Sequence, residues 1–238
     1  MKNDSRKRYF VLSILFFLPV IFLLMLYPAK HNYIPLDIVN EQVMEFEDFT
    51  ADSGDNIQLR DHITILGFLG HKPLEEVIAA SNLKELIYDK FKGFKKFQIV
   101  MVQPHGTNEG IAKLKKEVNT FEDLRFWHYL YANEDQIIDL YSSLRSRSNL
   151  NENLATDQVF IIDKDLKQRG RLDARKPNEI ETNKPVYGMY DYNCIEVDDI
   201  KNKMSEDLRI LFTEYRQKRK GKFDSSSRRA SDLKTDNG

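Results

Sequence analysis

The chain has 238 residues, 36 basic and 37 acidic, for a formal net charge of -1, which gives no global attraction to nucleic acid. Cys194 is its only cysteine, so no disulfide forms within one chain and stability must come from packing. Beyond an apolar N-terminal stretch, roughly 190 residues remain, enough for one domain with a core of its own.

From Tyr9 to Tyr27 there is no charged residue. A helix of that length, at about 1.5 Å per residue, reaches roughly 28 Å, close to the ~30 Å hydrocarbon core of a bilayer. Lys2, Arg6, Lys7 and Arg8 precede the run, whereas Asp37, Glu41, Glu45, Glu47 and Asp48 follow it. The positive-inside rule then predicts a basic cytoplasmic segment over 1–8, a transmembrane anchor over 9–29 and a body outside the cytoplasmic membrane, periplasmic in a Gram-negative cell. A cleaved signal peptide is the competing reading. The run exceeds the usual signal apolar region and Tyr27-Pro28-Ala29-Lys30 offers no small-x-small cleavage site, so a retained anchor is expected.

Residues 30–47 read as a linker, and Phe49 to Leu59 as a hairpin turning on Asp52, Ser53 and Gly54. Ile63 to Phe68 is apolar almost continuously, which suits a central strand covered on both faces. Leu74, Val77 and Ile78, then Leu83, Leu86, Ile87 and Phe91, recur at helical spacing, with Asn82 and Glu85 as a capping box between two helices or at a kink. A second buried strand, Phe97 to Val102, leads to a helix capped by Thr107 or Asn108 and carrying Ile111, Leu114 and Val118. Phe126 to Leu130 is a short strand or packed loop. It is followed by a capping-box helix from Asn133 to Gln136 onward, bearing Ile137, Ile138, Leu140, Tyr141 and Leu144, with Arg145 and Arg147 complementing its end. Val159 to Ile162 is a third buried strand with an antiparallel partner at Arg169 to Leu172. Lys176 to Asn193 reads as a long surface loop, and a last helix presents Ile200, Met204, Leu208, Leu211, Phe212 and Tyr215 on one face before Gly221. The domain therefore spans 48–221, and 222–238, with almost no apolar residue, reads as a disordered basic tail. The fold class is α/β: a thioredoxin-like mixed sheet with flanking helices.

The loop after the first central strand holds Gly70, His71, Lys72 and Pro73, at the place where thioredoxin-like proteins keep reactive cysteines. His71 and Glu75 stand four apart but make only an incomplete metal pair, and His62, His105 and His128 lie in separate elements without ligand spacing. Cys194 is surrounded by Asp191, Glu196, Asp198 and Asp199, which oppose thiolate formation. No phosphate loop, dinucleotide glycine pattern or Ser-His-Asp arrangement is present.

In order and spacing, several short segments together resemble the Sco/SenC family of membrane-anchored thioredoxin-like proteins. These are the turn around Gly54, the strand ending Gly67-Phe68, Val102-Gln103-Pro104, Trp127 through Leu130, Thr156-Asp157 before Val159 to Asp163, and Arg169 to Asp173. The resemblance implies copper delivery to cytochrome oxidase through two cysteines four apart and a histidine. This chain holds Gly70 to Glu76 at the first place and Leu154-Ala155 at the second, so all three ligands are missing. The expectation is a redox-inactive, non-enzymatic protein that needs no cofactor, touches the lipid bilayer through 9–29 and binds a protein, an oxidase subunit or assembly factor. The expected interface is the vestigial loop, Gly70 to Pro73, with Tyr187, Tyr190 and Tyr192 of the Val186 to Tyr192 segment. The alternatives are a single-cysteine thiol oxidoreductase or peroxidase using Cys194 and a weak metal carrier through His71.

Overall fold

The computed structural model describes residues 2–26, 35–118 and 124–220, in two separate compact units. The expected disordered tail, the end of the anchor at 27–29 and the first part of the linker lie outside the described residues. The N-terminal unit is one helix, α1 (Lys2–Leu26), containing Pro19. Its Lys7–Met25 stretch has a mean hydropathy of 2.3 with none of it buried. That length and composition suit a membrane span, and equally a signal sequence.

The second unit is built on a mixed sheet. Its strands are β1 (Asp37–Asn40), β2 (Thr50–Ala51), β3 (Ile63–Leu69), β4 (Phe97–Pro104), β5 (Trp127–Ala132), β6 (Ala155–Ile162) and β7 (Gln168–Gly170), in the spatial order β1-β7-β6-β3-β4-β5-β2. β8 (Tyr192–Asn193) pairs with the middle of β6. β3, β4 and β5 run parallel, with Ile63 opposite Phe97 and Ile99 opposite Trp127. β6 is antiparallel to β3 and forms a hairpin with β7. A central strand flanked by a parallel and an antiparallel neighbour, then a hairpin and a terminal helix, is the thioredoxin-like plan expected from sequence.

Both faces of β3 are covered, which is why its pattern is continuous rather than alternating. Leu66 and Phe68 join Val100, Val102, Leu130 and Phe160 in a core sealed by Ile137 and Leu140 of α5 (Glu134–Ser142). Asn133 starts α5 as expected, its N–H donating to Gln136 Oε1 at 2.9 Å. Against the other face runs one continuous helical stretch: a 3₁₀ turn (Pro73–Glu76), α2 (Val77–Leu83), a π turn (Lys84–Tyr88) and α3 (Asp89–Phe91). Beside it lie α4 (Asn108–Val118) and, after the short α6 (Pro177–Glu181) and a π turn, α7 (Ser205–Arg219). Phe212 of α7 joins Phe91, Phe94 and Phe97, with ring centroids 4.3 to 6.1 Å away.

Several expectations need correction. Residues 35–47 are not linker: β1 pairs antiparallel with β7, Asp37 opposite Gly170, and Val43 and Phe46 enter the core. Phe49 to Leu59 forms no hairpin, because Thr50–Ala51 pairs with Tyr131 and Leu130 of β5 instead. Leu74 and Ile78 are 43% and 61% exposed. The helix buries Ala79, Ala80, Leu83 and Ile87, and Asn82 caps no helix but donates from Nδ2 to the Cys194 carbonyl. Arg145 and Arg147 lie beyond α5 and hold the 190–191 segment: Asp191, fully buried, accepts from Arg147 Nε at 2.7 Å and Ser146 Oγ at 2.8 Å. The long surface loop is therefore folded back, carrying α6, a bridge between Arg171 and Met189, and β8.

Candidate functional site

The vestigial loop leaves the carboxyl end of β3, where β4 runs parallel on one side and β6 antiparallel on the other. Open α/β sheets place their binding crevices at such strand ends. Gly70 has φ +61°, and a Cβ there would collide with the Asn153 carbonyl and lie 2.8 Å from Ala155 N, so only glycine fits. The next N–H, of His71, donates to that same carbonyl at 2.8 Å. Pro73 is buried against the first turn of α4, where a Cβ on Gly110 would sit 3.2 Å from the proline Cδ. The loop is thus a tight crossing fixed at both ends, with His71 and Lys72 on its outer surface.

The partners of these two side chains are local. His71 Nε2 is 3.1 Å from Glu134 Oε1, and Lys72 Nζ is 3.2 Å from Glu75 Oε1. Exposed pairs of this kind contribute about 0–1 kcal/mol. His71 and Glu75, four apart in sequence, thus each face another partner rather than one another. Among the described residues no group of three or more His, Cys, Asp or Glu side chains is placed to hold a metal ion.

Beneath the loop the structure brings together three residues that sequence reasoning did not connect. Cys194 is buried, its N–H donating to the Asp157 carbonyl at 2.8 Å. Burial, then the charges of Asp157 and Glu76, push its thiol far above the ordinary range, so it stays protonated. Burial, then the charge and side-chain hydrogen bond of Asp157, push Glu76 up to about 7, so this carboxyl carries a proton for much of the time near neutrality. Glu76 is two residues from Ile78 in a stretch that reads as an amphipathic helix, and only the return of β8 beside β6 makes it significant.

The three tyrosines separate. Tyr187 is 46% exposed and donates to Glu179 Oε2 at 2.9 Å. Tyr190 accepts from Arg145 Nη2 at 2.9 Å and lies under that guanidinium, 3.9 Å from ring centroid to Cζ. Tyr192 is fully buried and donates to Asp207 Oδ2 at 2.7 Å, while Arg171 Nε binds Asp207 Oδ1 at 3.0 Å. It is a core residue, not a surface one. The alternation of β8 turns it inward against α7.

No protein-family model matches the chain, and no curated protein does. Solved structures match at low identity. A SCO1/SenC family lipoprotein from Bacillus anthracis str. Ames is 16% identical, with a TM-score of 0.48 over 72% of this chain and 95% of its own. The soluble domain of Sco1 from Bacillus subtilis is 14% identical, with a TM-score of 0.43 over 70% and 90%. Arabidopsis thaliana ScoI with copper bound is 14% identical, with a TM-score of 0.39 over 70% and 98%. These are likenesses of fold.

Proposed function

We propose that this chain is a membrane-tethered, redox-inactive thioredoxin-like protein that binds another protein, as an accessory factor in the setting the Sco/SenC resemblance implies, cytochrome oxidase assembly. The observation that carries the reading is the state of the sulfur chemistry. The loop at the end of β3 has no cysteine, and the one cysteine of the chain is buried with its thiol held protonated. Copper(I), the form of the cargo that the resemblance implies, is selected by thiolates. The donors here are an imidazole facing Glu134, an ammonium facing Glu75 and the buried thiol, which do not fit that ion. The same facts weigh against a Cys194 oxidoreductase and against metal carriage by His71.

Support for protein binding comes from the outer surface at the loop. Leu74 and Ile78, 43% and 61% exposed, follow His71 and Lys72 in the chain, and exposed apolar side chains after a loop fixed at both ends support recognition there. Tyr187 and Tyr190 are the remaining partner-binding residues proposed on the returned segment. The reading places α1 in the membrane as a retained anchor, with the N-terminus in the cytoplasm, the body outside and no catalytic turnover.

Proximity labelling from the full-length chain in its membrane, followed by pull-down, tests the proposal. Loss of specific neighbours in His71→Ala, Ile78→Ala, Tyr187→Ala or Tyr190→Ala is the expected result, whereas all four recovering the wild-type set at equal yield rejects the interface. A reporter fused after Gly221 must read as external. The purified protein must also release Cu(I) to a competing chelator, and stoichiometric retention lost in His71→Ala would establish a metal site instead.

A further inference from the structure

At the end of the sheet opposite the vestigial loop, the starts of the parallel strands β3, β4 and β5 frame a cavity of about 310 Å³. His62 precedes β3, Lys96 precedes β4, Arg125 and Phe126 precede β5, and His128 is the second residue of β5; all line this space. From sequence His62 and His128 belong to unrelated elements, yet the parallel register makes them neighbours. The volume lies at the lower end for small-molecule sites, which run from about 300 to 1,000 Å³.

The lining is a convergence of donors. Lys96 and Arg125 bring permanent positive charge. His62 Nδ1 is 3.0 Å from the Arg60 carbonyl, an acceptor, so that nitrogen carries the proton and Nε2 is left to take a second one. Gln98 is fixed at the wall by bonds from Nε2 to the Gln58 carbonyl and Thr64 Oγ1, both 2.9 Å. An adjoining cavity of about 330 Å³ shares Arg125 and His128 and is also lined by Ser53, Lys115, Trp127 and Tyr129, with one carboxylate, Asp55, at its wall. Trp127 Nε1 and Tyr129 Oη are buried, with no polar partner among the described residues apart from each other. An incompletely bonded buried polar group costs about 1–3 kcal/mol, and the hydroxyl and indole N–H of this pair have capacity for a further molecule.

We propose that this double cavity binds a small phosphomonoester, its phosphate held by Lys96, Arg125, His62 and His128 and its body lying toward Trp127 and Tyr129. A cation is disfavoured: among the described residues the two imidazoles belong to no metal-holding group of three or more His, Cys, Asp or Glu, and Lys96 and Arg125 repel a metal ion. A doubly charged oxyanion with several acceptors matches four converging donors better than a single carboxylate does.

Binding is tied to pH. Burial lowers the pKa of both imidazoles from the ordinary histidine range. For His62 the Arg60 carbonyl and Asp61 oppose this and Lys96 and Lys164 add to it, while for His128 Asp55 opposes it and His62 adds to it. Among the described residues a further carboxylate, Asp52, is engaged by Lys115 and by Tyr131 Oη. Both rings are therefore mostly neutral near pH 7 when the cavity is empty. An anion favours their protonated forms, so binding takes up protons and tightens as the pH falls.

The test uses the full chain in detergent micelles, with inorganic phosphate and phenyl phosphate as probes. Imidazole NMR titrations, assigned with His62→Gln and His128→Gln, follow both rings. Either probe is expected to raise both titration midpoints, and affinity should grow by roughly tenfold or more per unit of midpoint shift on acidification. Phenyl phosphate should bind more tightly than phosphate. The Lys96→Gln/Arg125→Gln double variant, its fold checked by unchanged far-UV dichroism, should lose at least about tenfold in affinity through loss of two charge-assisted contacts. Two outcomes overturn the proposal: midpoints that do not move or move equally in the double variant, and phosphate binding with phenyl phosphate excluded, which would make the site one for the free ion.

Discussion

Replacing Gly70 by alanine tests whether the vestigial loop is a rigid crossing rather than a tolerant surface turn. Two costs add at this position. A left-handed conformation costs a non-glycine residue about 1–2 kcal/mol, and here φ is +61°. The new methyl group would also strike the Asn153 carbonyl and sit 2.8 Å and 2.9 Å from the N and Cβ of Ala155, forcing a backbone displacement. Overpacking of this kind costs a further ~1–3 kcal/mol, for a total of about 2–5 kcal/mol. Gly54→Ala is the internal control: its φ is +75°, but a Cβ there meets nothing within 4 Å, so only the conformational cost applies. Urea unfolding followed by the fluorescence of Trp127, the single tryptophan, reads both variants. The midpoint for Gly70→Ala should fall by roughly 1–2 M, clearly more than for Gly54→Ala, with an unchanged slope. Equal losses in the two variants would refute the collision and leave the loop free to move.

Glu76 has a folded-state pKa raised to about 7 from an unfolded value of 4.5, so folding favours its protonated form. Stability should therefore fall as the pH rises from about 4.5 to about 7 and level off above that, and Glu76→Gln should flatten this slope in urea titrations at several pH values. Tyr192→Phe removes the hydroxyl bonded to Asp207 and should lower stability by about 1–3 kcal/mol with little effect on exposed-surface binding, as measured by urea midpoint. Cys194 should react with a thiol probe only slowly at pH 7 and quickly once the chain is unfolded, and Cys194→Ser should retain partner capture. Fast alkylation of the native protein would reopen the oxidoreductase reading.

The parts of the fold legible in the sequence were those set by local pattern. Val159 to Ile162 is apolar without interruption, Ile63 to Phe68 and Phe97 to Val102 are broken only by Thr64 and Gln98, and a strand covered on both faces is the economical reading of such runs. Asn133 to Gln136 announces α5 in the same local way. What could not be read depends on distant pairing. β1 is short and sits in acidic sequence, and its partner β7 lies about 130 residues further on, so nothing nearby marks Asp37 to Asn40 as a strand. Ile78 was misplaced because the helical stretch passes through 3₁₀, α and π geometry, which rotates its buried face away from a uniform 3.6-residue stripe. Tyr192 was misplaced because proline, glycine and tyrosine content suggests a loop but does not reveal that the chain returns to β6. The vestigial loop itself was visible, since only its position after an apolar strand was needed. Glu76, Asp157, His62 and His128 acquire meaning only from register between elements.

The borders of the sheet carry a consequence for crowded chains. β1 and β2 are four and two residues long, and Asp37 of β1 already accepts the Leu172 N–H at 2.8 Å. Long outer strands act as templates for other chains, and short ones provide too few unpaired groups to hold a foreign strand in register. Chains confined to a bilayer meet one another in two dimensions, at encounter rates that punish any sticky margin. Curtailed margins on both sides would, with the proposed anchor retained, let many copies share a membrane patch without growing into fibres, and they leave side chains, rather than spare backbone groups, to decide what adheres.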